Sequence, residues 1–360
     1  MKNILLLTEN REEFQDCIAL FAQLGIQSFI YAGSNVQRTE CIKLSESAGI
    51  NCYFISQDRK GAISKVIFLI SVIRKHQPDF IMVGAQIIYH RVALLLKPKK
   101  TKLIVYNRGL LCDIGSSPIW SFRLLEKMPK FLRELRFLNP FSADYSLVIG
   151  PANKAMLESY SVKNIYSVGL YYNKNFSDSS GTPSGWITRK KRILVVATQA
   201  YNTHGLAHMH ENQINLIKKL ACSPYFDDYQ VIIKKHPRDE FCYEKHFQDL
   251  IISSENAKEF ICTALQYYRQ GFDIFLLSPP STFLIEWVNS GLSAFIYRDQ
   301  EVNFLYQNVL KSVKKKSPVN ESLADALFEI GVDAFEVNGS VMSNLYSEED
   351  VGKLRARLFE

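Results

Sequence analysis

Apolar and polar positions along the chain fall into a repeating alternation. Apolar runs of strand length stand at "NILLL" (3–7), "SFIYAG" (28–33), "NCYFIS" (51–56), "FIMVGA" (80–85), "KLIVYN" (102–107) and "YSLVIG" (145–150). Between them, apolar residues recur at helical spacing, which predicts helices over Arg11–Leu24, Val36–Ala48 and Ile63–Arg74. Strands that alternate with helices predict a parallel sheet covered on both faces.

At "SDSSGTPSG" (177–185) the pattern gives way to Ser, Gly and Pro, the signature of a linker. The alternation restarts directly afterwards in "RKKRILVVATQ" (189–199). A helix over His210–Ala221, the strand "QVIIKK" (230–235) and a further helix are expected next. Then come a strand "FIC" (260–262), a helix over Leu265–Gln270, the strand "DIFLLS" (273–278), a helix over Thr282–Ser290 and the strand "AFIYR" (294–298). The reading is an α/β protein of two Rossmann-like domains, 1–176 and 186–360, joined by a linker at 177–185. Open α/β sheets bind ligands outside the carboxyl ends of their strands. The strand ends of both domains are therefore expected to face a common cleft.

Composition narrows the class. With 360 residues, 47% of them hydrophobic and 22% charged, the chain can bury a sizeable core. Its seven cysteines are odd in number, scattered and free of any CxxC spacing, which argues for a reducing compartment and against a disulfide framework or structural zinc. The longest apolar stretch, "AISKVIFLISVIRKH" (62–76), is broken by Lys65 and falls short of the roughly 20 residues that span a bilayer. "MKNILLLTEN" reads as a first strand, not a signal peptide. A cytoplasmic protein is expected. The net charge of +7 suits an anionic small molecule, a membrane surface or nucleic acid. No basic face with interleaved aromatics is apparent, so nucleic acid is not expected as a partner.

Chemistry concentrates at three strand ends of the second domain: Thr198-Gln199, then Lys235-His236-Pro237-Arg238, then "SPPSTFLIEWVNSG" (278–291). In the last, Ser281 and Thr282 open a helix, whose N-terminal N–H groups and hydroxyls can cradle a phosphate. Glu286 stands one turn further, where it could accept hydrogen bonds from ribose hydroxyls. His236 could donate to a phosphate oxygen or protonate a leaving group. Each residue also has a plain structural reading: Ser281 or Thr282 as a helix cap, Glu286 as the partner of a surface cation, His236 as a satisfied core histidine. Together they describe a nucleotide-sugar site with no metal cage.

These segments carry a resemblance. "VIIKKHPR" (231–238) resembles the His-Pro motif of bacterial sialyltransferases and the related capsule Kdo transferases, and "SPPSTFLIEWVNSG" resembles their serine motif. "ADYSLVIGPANKAMLESYSVKNIYSVGLYYN" (143–173) is similar to the strand–helix–strand that closes their first domain. The resemblance implies a GT-B fold and a CMP-linked donor held in the second domain by the serine-motif hydroxyls, with neither metal nor other cofactor. Similar His-Pro stretches occur in teichoic-acid-type glycerophosphate transferases and in UDP-N-acetylglucosamine epimerases.

The resembled families also end a first-domain strand on an acidic pair and a glycine, the aspartate serving as base. Here that place reads Asn107-Arg108-Gly109, and neither Asn107 nor Arg108 can act as a base at neutral pH. Asp113 is the nearest carboxylate; Glu9 and Asp58, at other strand ends, are the alternatives. Arg108 could grip a sugar carboxylate in a bidentate fork or be a surface cation. Gly109 would allow close approach of substrate.

Two further segments stand out. "THGLAHMHENQ" (203–213) gathers His204, His208, His210 and Glu211; it is expected to line the cleft rather than hold a metal. Residues 117–141 interleave Trp120, Phe122 and Leu124 with Arg123, Lys127 and Lys130. They read as a basic amphipathic segment that either lies in a bilayer interface or packs as an ordinary helix pair.

The expectation is a glycosyltransferase that moves a 2-keto acid sugar (sialic acid, a related nonulosonate or Kdo) from a CMP donor to a bacterial surface glycan or lipid-linked glycan. It would work in the cytoplasm, at the inner face of the inner membrane if 117–141 lies in the interface. The alternatives are a UDP-sugar transferase or sugar-nucleotide epimerase on the same fold, and a non-catalytic partner in polysaccharide assembly.

Overall fold

In the computed structural model of the chain, the described residues are 3–8, 11–33, 38–56, 62–84, 92–93, 95–107, 143–159, 161–169, 186, 190–202, 206–297, 321–337 and 347–359. The chain divides into two compact units, Met1–Tyr172 with Asn344–Glu360, and Asn173–Ser343.

The first unit is built on seven parallel strands: β1 (Ile4–Leu7), β2 (Ser28–Gly33), β3 (Asn51–Ser56), β4 (Phe80–Gly84), β5 (Lys102–Asn107), β6 (Tyr145–Val148) and β7 (Ile165–Ser167). They lie in the order β3-β2-β1-β4-β5-β6-β7. Succession along the chain reverses direction between β1 and β4, and the crossovers change face there. Strand alternation sorts the core accordingly. Leu6 and Met82 face one side, where α1 (Arg11–Leu24) contributes Phe14, Cys17 and Phe21. Leu5, Leu7, Ile81 and Val83 face the other, where α3 (Ala62–His76) contributes Phe68, Leu69, Val72 and Ile73. The helix α2 (Arg38–Ser47) joins the first side through Cys41, and α4 (Pro151–Ser159) links β6 to β7.

The last described helix belongs to this unit, not to the second domain in which the sequence pattern predicts it. Glu348–Phe359, here α9, buries Val351, Leu354 and Leu358 in the α1 side of the core. Its buried Asp350 accepts hydrogen bonds from the Ser167 N–H (2.8 Å) and from Lys154 Nζ (2.8 Å).

The second unit repeats the design with β8 (Arg192–Ala197), β9 (Tyr229–Lys234), β10 (Ile251–Ser253), β11 (Asp273–Ser278), β12 (Ser293–Tyr297) and β13 (Ala334–Val337). Their order is β10-β9-β8-β11-β12-β13. All neighbours run parallel except β13, which pairs antiparallel with β12. The described helices are α5 (Ala207–Cys222), α6 (Ala257–Arg269), α7 (Thr282–Asn289) and α8 (Glu321–Glu329).

One expected strand is replaced. "FIC" (260–262) lies inside α6, and the strand before it is Ile251–Ser253. The Asn256 side chain caps α6 by accepting the Glu259 N–H (2.9 Å), and Phe260, Ile261, Ala264 and Tyr267 form one buried stripe. Helical spacing of the apolar residues thus outweighs the local apolar triplet. Trp186, the first described residue after the expected linker, stacks on Tyr267 (ring centroids 5.4 Å, 12°), and its backbone carbonyl accepts the Tyr267 hydroxyl. The linker itself, 177–185, lies outside the described residues.

Candidate functional site

The second sheet changes direction between β8 and β11, the place where open α/β sheets form their ligand crevice. Register aligns the strand ends there: Ala197 pairs with Lys234 of β9, and Val196 with Leu277 of β11. The three segments singled out in the sequence therefore emerge side by side from three adjacent parallel strands, with Thr198-Gln199 in the middle.

Hydrogen bonds lock two of them together. The buried Thr198 gives its N–H to Lys234 O (3.0 Å), and its Oγ1 accepts the His236 N–H (3.0 Å). His236, half-buried, accepts the Arg238 N–H on Nδ1 (3.1 Å). With Nδ1 used as an acceptor, the neutral ring carries its hydrogen on Nε2. Pro237 and Arg238 are exposed, as a tight turn requires, and Lys235 is half-buried with its N–H on Ser253 O (2.9 Å). Lys234 behaves differently from its neighbours. It is buried, donates from Nζ to Lys235 O (2.8 Å), and lies 5.7 Å and 5.8 Å from the rings of Phe260 and Phe283.

Three residues that sequence reasoning missed anchor this loop. Gln213 of α5 holds the Gln199 backbone from both sides, accepting its N–H (2.7 Å) and reaching its carbonyl (3.4 Å). The same amide donates to the Tyr243 hydroxyl (2.8 Å), which donates to Asp239 Oδ2 (2.8 Å). Asp239 closes the turn by giving its N–H to His236 O (2.9 Å) and accepting the Phe241 N–H (3.1 Å). Burial, and then the negative Asp239, push the Tyr243 phenol well above its ordinary value, so it stays a donor at neutral pH. No local spacing marks these residues; they meet only once β8, α5 and the turn after β9 are packed.

The third segment builds a capped helix start. The buried Ser281 accepts the Leu284 N–H on Oγ (3.1 Å) and lies 3.3 Å from Ser278 Oγ, which donates to Pro279 O (2.8 Å). Ser281 is thus the N-cap of α7, and Thr282 is its half-buried first residue. The amides of Thr282 and Phe283 have no intrahelical acceptor at that end. Glu286, on the next turn, is 2% exposed.

In the first unit Asn107 ends β5 and is buried. Arg108, Gly109 and Asp113 lie outside the described residues, as do Glu9, Asp58, His204 and the segment 117–141. A carboxylate not singled out before stands at the β1–β4 reversal. The buried Glu13 accepts the Thr8 hydroxyl (2.7 Å), and its carboxylate lies against Gly84, where a Cβ would collide with it. Nothing in the sequence separates Glu13 from its neighbour Glu12. In the histidine-rich stretch, His208 is exposed and His210 buried. Their spacing of two places them about 200° apart around α5.

No protein-family model matches the chain, and no curated protein matches it. Solved structures do match along its whole length at low identity. UDP-GlcNAc 2-epimerase from Methanocaldococcus jannaschii, in complex with UDP-GlcNAc and UDP, is 15% identical with a TM-score of 0.57, over 100% of this chain and 99% of that one. A glycosyltransferase from Rickettsia africae is 12% identical with a TM-score of 0.51, over 99% and 97%. An Anabaena protein in complex with UDP and glucose gives the same 12%, 0.51, 99% and 97%. Two doubly wound units with sheet reversals at β1–β4 and β8–β11, matched end to end by these structures, give the chain the GT-B fold.

Proposed function

We propose that the chain is a glycosyltransferase that takes a 2-keto acid sugar from a CMP-linked donor and transfers it to a bacterial surface glycan or lipid-linked glycan, without metal or other cofactor. The observation that carries this reading is the Thr198–His236 lock beside the Ser281-capped helix, at the sheet reversal of the second unit. The donor phosphate would lie against the amides of Thr282 and Phe283, with the His236 Nε2 hydrogen and the Lys235 and Arg238 cations around it. Departing CMP gains negative charge on that phosphate. A fixed N–H donor and two cations stabilise the charge as it develops, with little reorganisation. Gln199 would contact the donor through its side chain, since its backbone is held by Gln213. Glu286 would meet the ribose hydroxyls.

In the first unit, Asn107, Arg108 and Gly109 would take the acceptor or the sugar carboxylate, and Asp113 would serve as base. Asp113→Asn should keep its melting temperature and CMP affinity while turnover falls at least about a hundredfold. The preference for CMP rests on the resemblance of "VIIKKHPR" and "SPPSTFLIEWVNSG". The similarly folded structures that hold UDP and UDP-GlcNAc favour the second reading, a UDP-sugar transferase or epimerase.

A melting-temperature comparison with CMP, CDP, UDP and GDP decides between them, because a ligand stabilises the state that binds it. Stabilisation by CMP, abolished in Ser281→Ala/Thr282→Val, is expected. Stabilisation by UDP alone would replace the CMP reading with its alternative.

A further inference from the structure

We infer that the first unit docks on a bilayer with anionic headgroups through the outer face of α3 and the adjoining edge at 95–102. The helix α3 is apolar on two sides. Its inner side fills the core with Phe68, Leu69, Val72 and Ile73. On its outer side Ile63, Ile67, Ile70 and Arg74 follow one another at spacings of four, three and four, a stripe within about 60° of arc. Ile63 is 78% exposed and Ile67 55% exposed.

Ala93 packs on the same cluster as α3, so both lie in one layer over the sheet, and Leu95 is 71% exposed. Single exposed aliphatics are ordinary, but several on one layer of a folded unit point to a partner.

Charge identifies that partner. Residues 62–107 contain eight Lys or Arg and one carboxylate, Asp79, and of the eight only Lys97 is drawn inward, to Asp144 (3.2 Å), among the described ion pairs. The exposed cations gather at one edge. Thr101 Oγ1 donates to Pro78 O (2.7 Å) and Lys102 N–H to Asp79 O (2.8 Å), which ties Lys99, Lys100 and Lys102 to the end of α3 with Arg74 and Lys75. Nucleic acid would use the cations but would gain nothing from exposed Ile and Leu. A lipid interface uses both, with aliphatics in the acyl boundary and cations at the headgroups. Among the described residues no helix is long and apolar enough to cross a membrane, so this contact lies on the surface. The inference uses no residue of 117–141 and is independent of the donor assignment.

Co-sedimentation of the full chain tests this. Wild type should sediment with vesicles of phosphatidylcholine and phosphatidylglycerol at low salt, and not with phosphatidylcholine alone. Each lysine near such a surface contributes about fivefold, so Lys99→Gln/Lys100→Gln should bind about 25-fold more weakly. Ile63→Ser/Ile67→Ser should lose the binding that survives at high salt. Both variants alter exposed side chains and should melt as wild type does. Absence of wild-type binding, equal binding to both vesicles, or either double variant binding like wild type overturns the inference. So does tighter binding to a single-stranded RNA oligonucleotide than to the vesicles.

Discussion

Tyr243→Phe removes one oxygen from the centre of the network that carries His236. Two short hydrogen bonds go with it, the donation to Asp239 Oδ2 and the acceptance from Gln213 Nε2, each 2.8 Å. A hydrogen bond to a charged acceptor is worth about 1.5–3 kcal/mol, and a buried amide left without its acceptor costs about 1–3 kcal/mol. Gln213 keeps its 3.4 Å reach to Gln199 O, and Asp239 keeps the Phe241 N–H at 3.1 Å, so neither partner is stranded completely. The ring stays fully buried, and the hydroxyl no longer has to be desolvated. The net loss should be about 2 kcal/mol, which for a unit of this size lowers the melting temperature by about 4–8 °C. Calorimetry should show that shift in the transition of the second unit, and nucleotide binding should weaken with it because the turn holding His236 loses an anchor. A melting temperature within about 1 °C of wild type would show that the network does not hold the turn in place.

His236→Ala should fold normally and lose about 10²–10⁴-fold in turnover; turnover within about threefold of wild type would assign His236 to the structure. Gly84→Ala should destabilise the first unit by about 1–3 kcal/mol, because the new methyl meets the Glu13 carboxylate, and Glu13→Ala in the same chain should relieve much of that loss. Burial pushes the Cys52 thiol up from its ordinary 9.0 to about 11. Its alkylation near pH 8 should therefore lag well behind that of the exposed Cys222 and Cys242, and should quicken as the pH rises toward 11. The folded value lies above the unfolded one, so the contribution is complete below about pH 9 and is lost as the pH rises through about 11.

Much of the fold was legible because two periodicities carry it. The apolar runs from "NILLL" to "YSLVIG" became strands of one sheet, and the helix over Arg11–Leu24 has the bounds its spacing predicts. What failed was short or ambiguous. Ile251–Ser253 is only three residues long and two of them are half-buried, so no strand signal precedes the pairing with β9. "FIC" carries a strand's composition but sits on a helical stripe that becomes visible only over the full length of α6. The strand ends were readable, since Thr198, His236 and Ser281 each follow an unmistakable apolar run. Their supports were not. Gln213, Asp239 and Tyr243 are ordinary residues in sequence, and only tertiary packing joins Gln213 to Gln199 across 14 positions and to Tyr243 across 30.

The return of α9 makes the first unit discontinuous and the second a continuous insertion. Truncation is therefore asymmetric. Cutting after Tyr172 strips Val351, Leu354 and Leu358 from the first core and leaves the Ser167 amide and Lys154 without Asp350. Removing residues 173–343, by contrast, takes no member from the described core clusters of the first unit.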